Sequence, residues 1–435
     1  MAPEGVPLTL SLYRLLMAAA SPLAPALISN RLKHGKEHPG RLNERYGESK
    51  TARPEGPLVW IHSASVGELL AVIPLIERIR EKEFNVLCTS GTVTSANVAE
   101  QRLPPGAIHQ FVALDIPRFV RRFYDHWQPD LALFVESDLW PNLILTSARR
   151  GTPLILVNGR LSERSFKRWR RIPGTISALL RCFDLCLAQS AAHAGRYRDL
   201  GAPRVTTTGN LKLDVPEPPA DPDKLAALTA AVGTRTVIAG ASTHAGEETM
   251  LIEAHRRLRG SFPRLLTMIA PRHPDRGPGI IEIAHAAGLK AKLRSRGELP
   301  DADTDVYVAD TLGELGVIYR LAPIVFVGGS FATHGGQNPI EPIKLGAAIL
   351  HGPHIWNFAE IYGALDKAHG AEQVTDVGKL AVRVGAWLKD ATERTAVVTA
   401  AKETVATLGG GLDRTLAALE PYLMQIRLER RDSNA

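Results

Sequence analysis

The sequence predicts an α/β protein built as two Rossmann-like domains, and three observations predict it. The chain has 435 residues, more than a single core comfortably organises. After residue 55, short apolar runs alternate with stretches of helical periodicity, the pattern of parallel-sheet α/β units. The segment LDVPEPPADPDK (213–224), with four prolines and four acidic residues, separates one such series from a second and reads as an extended linker. The expected organisation is a hydrophobic and basic segment over 1–36, a first domain over 37–212, the linker over 213–224, and a second domain with closing helices over 225–435. The active cleft is expected between the domains.

Each element follows in chain order. From Val6 to Ser29 the only charged residue is Arg14, and the basic run NRLKHGK comes directly after. The leader MAPEG carries Glu4 and no Lys or Arg, which argues against a cleaved signal peptide. The run is long enough to span a bilayer, but Arg14, Pro22 and Pro25 would lie inside it. A helix lying in one leaflet is the alternative, with Arg14 and residues 31–36 reaching toward lipid phosphates. The formal charge of +7 and pI near 9.3 favour anionic partners in general: nucleic acid, phosphorylated metabolites or an anionic membrane. Three cysteines, Cys88, Cys182 and Cys186, lack the spacing of a disulfide framework or a zinc site and read as small buried apolar residues.

Strands are predicted over 57–63, 85–90, 108–114, 131–137, 153–159 and 185–190. A helix from Gly67 to Glu83 follows the first of them. The second series has strands over 235–242, 264–271, 305–310, 323–330 and 347–353.

In open parallel sheets ligands sit at the carboxyl ends of the strands, and that edge orders the candidate residues. Glu68, in HSASVGELL, falls in the first turn of a helix, where a carboxylate is held ionised and suits a general base. An ordinary helix-start glutamate is the plain alternative. Glu136 ends a strand in LALFVES; Asp138 competes with it or caps the next helix. Lys212, in GNLKLD, is a cation at the domain junction that can stabilise a leaving phosphate. Pro271 and Arg272 end a strand in IAPRHPDR, and Arg suits bidentate phosphate binding. Leu312, Gly313 and Glu314 follow another strand. In FVGGSFATHGGQNPIEP, Gly328, Gly329 and Ser330 form a tight turn whose N–H groups are expected to face an anion or a base. Asn338, Pro339, Ile340 and Glu341 then open a helix whose carboxylate is expected to bind ribose hydroxyls.

The acidic loop PDADTDVYV contains Asp301, Asp303 and Asp305 but precedes a strand, at the far end from the ligand edge, so no metal is expected. The basic run 159–174 carries Arg160, Arg164, Lys167, Arg168, Arg170 and Arg171 against Glu163. With only Phe166 and Trp169 available for stacking, it fits a phosphorylated amphipathic partner better than RNA.

Taken in order, the motifs HSASVGE, VESDLWPN, NGRLSERS, GNLKLD, STHAGEE, PRHPDR, DTLGEL and FVGGSFATHGGQNPIEP resemble the 3-deoxy-D-manno-octulosonic acid (Kdo) transferases of lipopolysaccharide assembly. The resemblance implies a GT-B fold, CMP-Kdo as donor, a lipid A precursor as acceptor, and attachment to the cytoplasmic face of the inner membrane. It implies an acceptor-binding first domain and a CMP-binding second domain; with the acidic loop and the basic run read as above, no cofactor, metal or nucleic-acid partner is expected. By motif, Glu68 would be the base, with Glu136 and Lys212 supporting the transition state. Pro271, Arg272, Leu312, Gly313, Glu314 and Asn338 to Glu341 would bind CMP. Other readings stay open from the residues alone: a UDP-sugar transferase or epimerase of the same architecture, or a non-catalytic nucleotide-binding protein.

Overall fold

The computed structural model of the chain describes residues 6–434; the leader containing Glu4 lies outside them. Two compact units are present, one made of residues up to Val215 together with those from Leu408 onward, the other running from Pro216 to Thr407.

The first unit holds a seven-stranded parallel sheet of β1 (Leu58–Ser63), β2 (Asn85–Ser90), β3 (Ile108–Phe111), β4 (Leu131–Val135), β5 (Leu154–Gly159), β6 (Leu185–Ala188) and β7 (Val205–Thr207), in the order β3-β2-β1-β4-β5-β6-β7. Every residue of β1 is buried because the strand is central and covered on both faces. Leu58 and Trp60 pack into one apolar layer, Val59 and Ile61 into the other. β4 repeats the alternation, with Phe134 in the first layer and Leu133 and Val135 in the second.

The second unit repeats the plan with β8 (Thr236–Thr243), β9 (Leu265–Pro271), β10 (Ala291–Leu293), β11 (Val306–Val308), β12 (Ile324–Val327), β13 (Ala348–His351) and β14 (Ala371–Gln373), ordered β10-β11-β9-β8-β12-β13-β14 and parallel throughout. All the predicted strands exist, most of them shorter by a few residues. β7, β10 and β14 escaped the sequence reading because three-residue edge strands carry too little pattern.

Two expected boundaries differ. The closing residues do not all belong to the second domain, since the helix Gly411–Asn434 lays Leu416, Leu419, Leu423 and Ile426 against Val72, Leu75, Ile76 and Ile79 of the first unit. Asp214 fixes its start by accepting hydrogen bonds from the Gly410 and Leu412 N–H groups at 2.7 Å each. The acidic proline segment is also not a free extended linker. Arg320 donates to the Pro218 carbonyl at 2.8 Å, and Gly316 lies so close that a Cβ there would stand 2.0 Å from the Pro219 oxygen.

The N-terminal segment forms two helices, Leu8–Ala19 and Ala24–Lys33, with a bend of 44° at the break between them; among the described residues no single helix is long and apolar enough to cross a membrane. Leu10, Ala24 and Ile28 are buried in the first unit, and the Tyr13 hydroxyl donates to Asp115 at 2.9 Å. Leu8, Leu12, Leu15, Leu16, Leu23 and Leu27 remain exposed. Arg31 does not reach outward as expected: it pairs at 2.6 Å with Glu37, which is buried and also holds Arg45 at 2.8 Å.

Candidate active site

In the first unit Ser65 caps the helix Val66–Glu81, and Glu68 closes the reciprocal arrangement that an S-x-x-E sequence encodes. The Ser65 hydroxyl accepts from the Glu68 N–H at 3.3 Å, and Glu68 accepts from the Ala64 N–H at 2.7 Å and from the Ser65 hydroxyl at 3.1 Å. The plain reading of Glu68 as a helix-start residue is therefore correct as far as it goes. Its titration departs from that reading. Burial first, then the charge of Glu136, raise its pKa to about 6, while the bond from Ala64 pulls the other way. A carboxylate so poised near neutrality suits proton abstraction.

Glu136 follows β4 in the left-handed region, at φ 61°, which a residue with a Cβ adopts only when its surroundings impose it. The imposing contacts are its own N–H donating to Val157 O at 2.9 Å and the Tyr197 hydroxyl donating to its carbonyl at 3.1 Å. Its side chain meets Lys212 Nζ at 2.5 Å. Lys212 is presented by a short turn, Leu211–Leu213, which Asn210 caps, and Asn158 of β5 accepts from the Leu211 N–H at 3.0 Å. Three sequence-distant residues thus converge: Glu68, Glu136 and Lys212. Asp138 does not cap the next helix; it lies 3.4 Å from His62 Nε2 and accepts from the Trp140 indole at 2.8 Å.

In the second unit the glycine turn after β12 has an occupant the sequence reading missed. Glu247, buried in the first turn of the helix Glu247–Leu258, accepts from the N–H groups of Gly329 at 2.8 Å, Ser330 at 2.9 Å, Phe331 at 2.9 Å and Ala332 at 3.4 Å, and from His244 at 2.8 Å. The expectation that Gly329 and Ser330 turn free N–H groups toward a ligand is corrected: these groups hold an internal carboxylate. Gly328 is required by packing, since a Cβ would stand 2.5 Å from the Ser242 oxygen, and Gly329 by its φ of 67°. The only hint in the sequence was the doubled acid in STHAGEE.

Glu314 is likewise committed, to Lys224 at 2.7 Å and Arg294 at 2.9 Å. Burial opposes its ionisation, but these two cations prevail and hold its pKa below the ordinary value. Beside it Gly313 is left-handed at φ 81°, and Leu312 is 75% exposed. Pro271 ends β9, and the Arg272 N–H donates to Thr243 O at 2.9 Å while its side chain makes no ion pair among the described residues. Asn338 turns the chain into the short helix Ile340–Lys344: its Oδ1 accepts from the Ile340 N–H at 3.0 Å and its amide donates to Glu341 at 3.3 Å. The acidic loop is spent on lysines, Asp301 on Lys292 at 2.7 Å and Asp303 on Lys290 at 3.0 Å. Among the described residues no group of His, Cys, Asp and Glu side chains is arranged to hold a metal ion.

Two Rossmann-like sheets, with candidate residues gathered at the carboxyl ends of their strands, define a GT-B-like fold. A glycosyltransferase structure from Rickettsia africae shares the fold, at a TM-score of 0.58 over 85% of this chain and 99% of that one, with 11% identity. The family model described as 3-deoxy-D-manno-octulosonic-acid transferase (kdotransferase) matches residues 40–215. The 3-deoxy-D-manno-octulosonic acid transferase of Haemophilus influenzae is 32% identical over 420 residues, 94% of this chain and 98% of that protein. A probable mitochondrial counterpart in Arabidopsis thaliana is 36% identical over 369 residues, 82% and 83% of the two chains. The chain belongs to the 3-deoxy-D-manno-octulosonic acid transferase family and is a Kdo glycosyltransferase.

Proposed function

We propose that the enzyme moves Kdo from CMP-Kdo to a hydroxyl of a lipid A precursor, in lipopolysaccharide assembly, with inversion at the anomeric carbon and Glu68 as the base. The observation that carries this reading is the Glu68 carboxylate, oriented by Ala64 and Ser65 and raised to a pKa of about 6 beside Glu136. In the displacement the acceptor oxygen forms the new bond to the anomeric carbon, its proton passes to Glu68, and the bond to the phosphate oxygen breaks to release CMP. Lys212, held by Glu136, offsets negative charge as the reaction proceeds. In the second unit Arg272 is assigned to the CMP phosphate, exposed Leu312 to the face of the base, and Asn338 with Glu341 to the ribose. Pro271, Gly313 and Ile340 shape the backbone around them, and Glu314 acts there through its bonds to Lys224 and Arg294. The reaction is assigned no metal, and activity should survive EDTA.

The acceptor assignment and a place on the cytoplasmic face of the inner membrane rest on one side of the first unit. There the exposed leucines of the N-terminal helices adjoin the basic run, since the Thr9 and Thr175 hydroxyls hydrogen-bond at 2.6 Å and Ile172 is also exposed. Exposed leucines next to a run that carries the exposed Arg164, Arg168 and Arg171 suit a phosphorylated lipid and an anionic bilayer. The test is incubation with CMP-Kdo and a tetraacylated lipid A precursor, followed by mass spectrometry of the lipid. A lipid heavier by Kdo is expected. An unchanged lipid, or one modified only when a UDP-sugar is supplied, overturns the reading.

A further inference from the structure

We propose that His244, His273 and His334, beside Arg272, form the part of the donor site that takes the carboxylate of the transferred sugar acid. This rests on the CMP-Kdo reading above. The three imidazoles come from the carboxyl ends of three adjacent strands: His244 follows β8, His273 follows β9, and His334 lies in the loop after β12. The chain leaves β8 toward β9 on one side and returns to β12 on the other, so the cluster stands at the switch point where open sheets bind ligands. The rings of His244 and His334 stack at 4.1 Å with 20° between their planes, and His273 meets His244 edge-on at 5.8 Å.

The two acids nearest in sequence to His244, Glu247 and Glu248, are already committed elsewhere. Glu247 is surrounded by five backbone N–H groups, and Glu248 is held by Arg276 at 3.1 Å and by the Thr243 hydroxyl at 3.3 Å. His244 is 9% exposed, and its Nε2 is buried with no hydrogen-bond partner. Burial first, then His334, hold the His244 pKa below the ordinary imidazole value; Glu247 opposes them, while His273 and Arg272 add to them. The cluster thus combines a fixed cation, Arg272, with a buried imidazole nitrogen that has no partner of its own.

The chemistry of the donor supplies the anion. A 2-ulosonic acid linked to CMP carries a phosphate and a carboxylate, and both are attached at the same anomeric carbon. Partners for the carboxylate must then lie next to those for the phosphate. Arg272 suits the phosphate, and His273 is its neighbour in sequence. The glycine turn has no N–H groups to offer, because Glu247 holds them. The imidazoles beside Arg272 place N–H donors next to the phosphate partner.

His334 and His273 are exposed, so His334→Ala and His273→Ala should fold, which an unchanged thermal midpoint checks. In full-length enzyme, the KM for CMP-Kdo should rise about tenfold, as expected for loss of a hydrogen bond to a charged group, while the inhibition constant of CMP, which lacks the carboxylate, stays unchanged. His334→Asn, which restores an N–H donor, should recover part of the loss. A parallel rise in the CMP inhibition constant would assign the cluster to the phosphate and overturn the proposal, as would no change in either constant. Wild-type enzyme that binds CMP but gives no turnover with CMP-Kdo would sink the donor assignment itself, and the proposal with it.

Discussion

Glu68 and Glu247 occupy corresponding places in the two units and meet opposite fates. Each lies in the first turn of the helix after the first strand of its unit in chain order, in the related stretches SASVGEL and ASTHAGEE. The strand beside each decides the difference. Next to β8 stands β12, which ends in Gly328-Gly329-Ser330, and that turn donates its N–H groups to Glu247. Next to β1 stands β4, which ends in Glu136, so Glu68 has a second negative charge where Glu247 has hydrogen-bond donors. Both turns go left-handed, at φ 67° for Gly329 and 61° for Glu136. The same local design thus yields a fixed structural carboxylate in one unit and a poised one in the other.

The sharpest way to break this comparison is Glu68→Gln, which keeps size and most hydrogen bonding but cannot take a proton. Turnover should fall by roughly 10²–10⁴-fold with CMP affinity unchanged. Turnover within a few-fold of wild type would remove Glu68 from the chemistry and return attention to Asp138.

The same substitution should have opposite effects on stability at the two positions. Glu247→Gln sets an amide NH₂ against backbone N–H groups and should cost about 3 kcal/mol in denaturant unfolding. For Glu68 the folded pKa, about 6, exceeds the ordinary 4.5, so its favourable contribution is complete below the unfolded value and is lost as pH rises through about 6. By neutral pH that loss is about 2 kcal/mol, and Glu68→Gln should recover about 1 kcal/mol of it. Equal losses for both variants would mean that the two carboxylates are equivalent after all.

A smaller effect tests the cause of the poise. Activity should fall off on the acid side with an apparent pKa of about 6, and Glu136→Gln should move that limb downward by roughly half a unit to one unit, because the charge that opposes ionisation of Glu68 is gone. An upward shift would contradict the electrostatic account.

The smallest effect concerns the exposed N-terminal face. Deleting the segment would uncover core positions packed by Leu10, Ala24 and Ile28, so point changes are the cleaner tool. Leu12→Ser with Leu16→Ser should weaken co-sedimentation with anionic vesicles several-fold and leave the thermal midpoint within about 2 °C. A vesicle affinity that does not change would detach this face from the membrane.

The sequence by itself determined the two α/β series, the order of their main strands and the candidate residues along one edge, because two- and 3.6-residue periods are local and survive in a one-dimensional string. It also encoded the capping pair Ser65 and Glu68, whose members are one helical turn apart. Tertiary structure alone decided that Glu247 fills the glycine turn, a contact across 82 to 85 residues. It alone spent Glu314 on Lys224 and Arg294, and brought the last helix back to Asp214, 196 residues earlier. A carboxylate in a helix's first turn looks the same in sequence whether amides or another carboxylate stand opposite, since that choice belongs to the neighbouring strand. Sheet order brings that strand alongside, and its end sets whether the acid is locked or ready to take a proton.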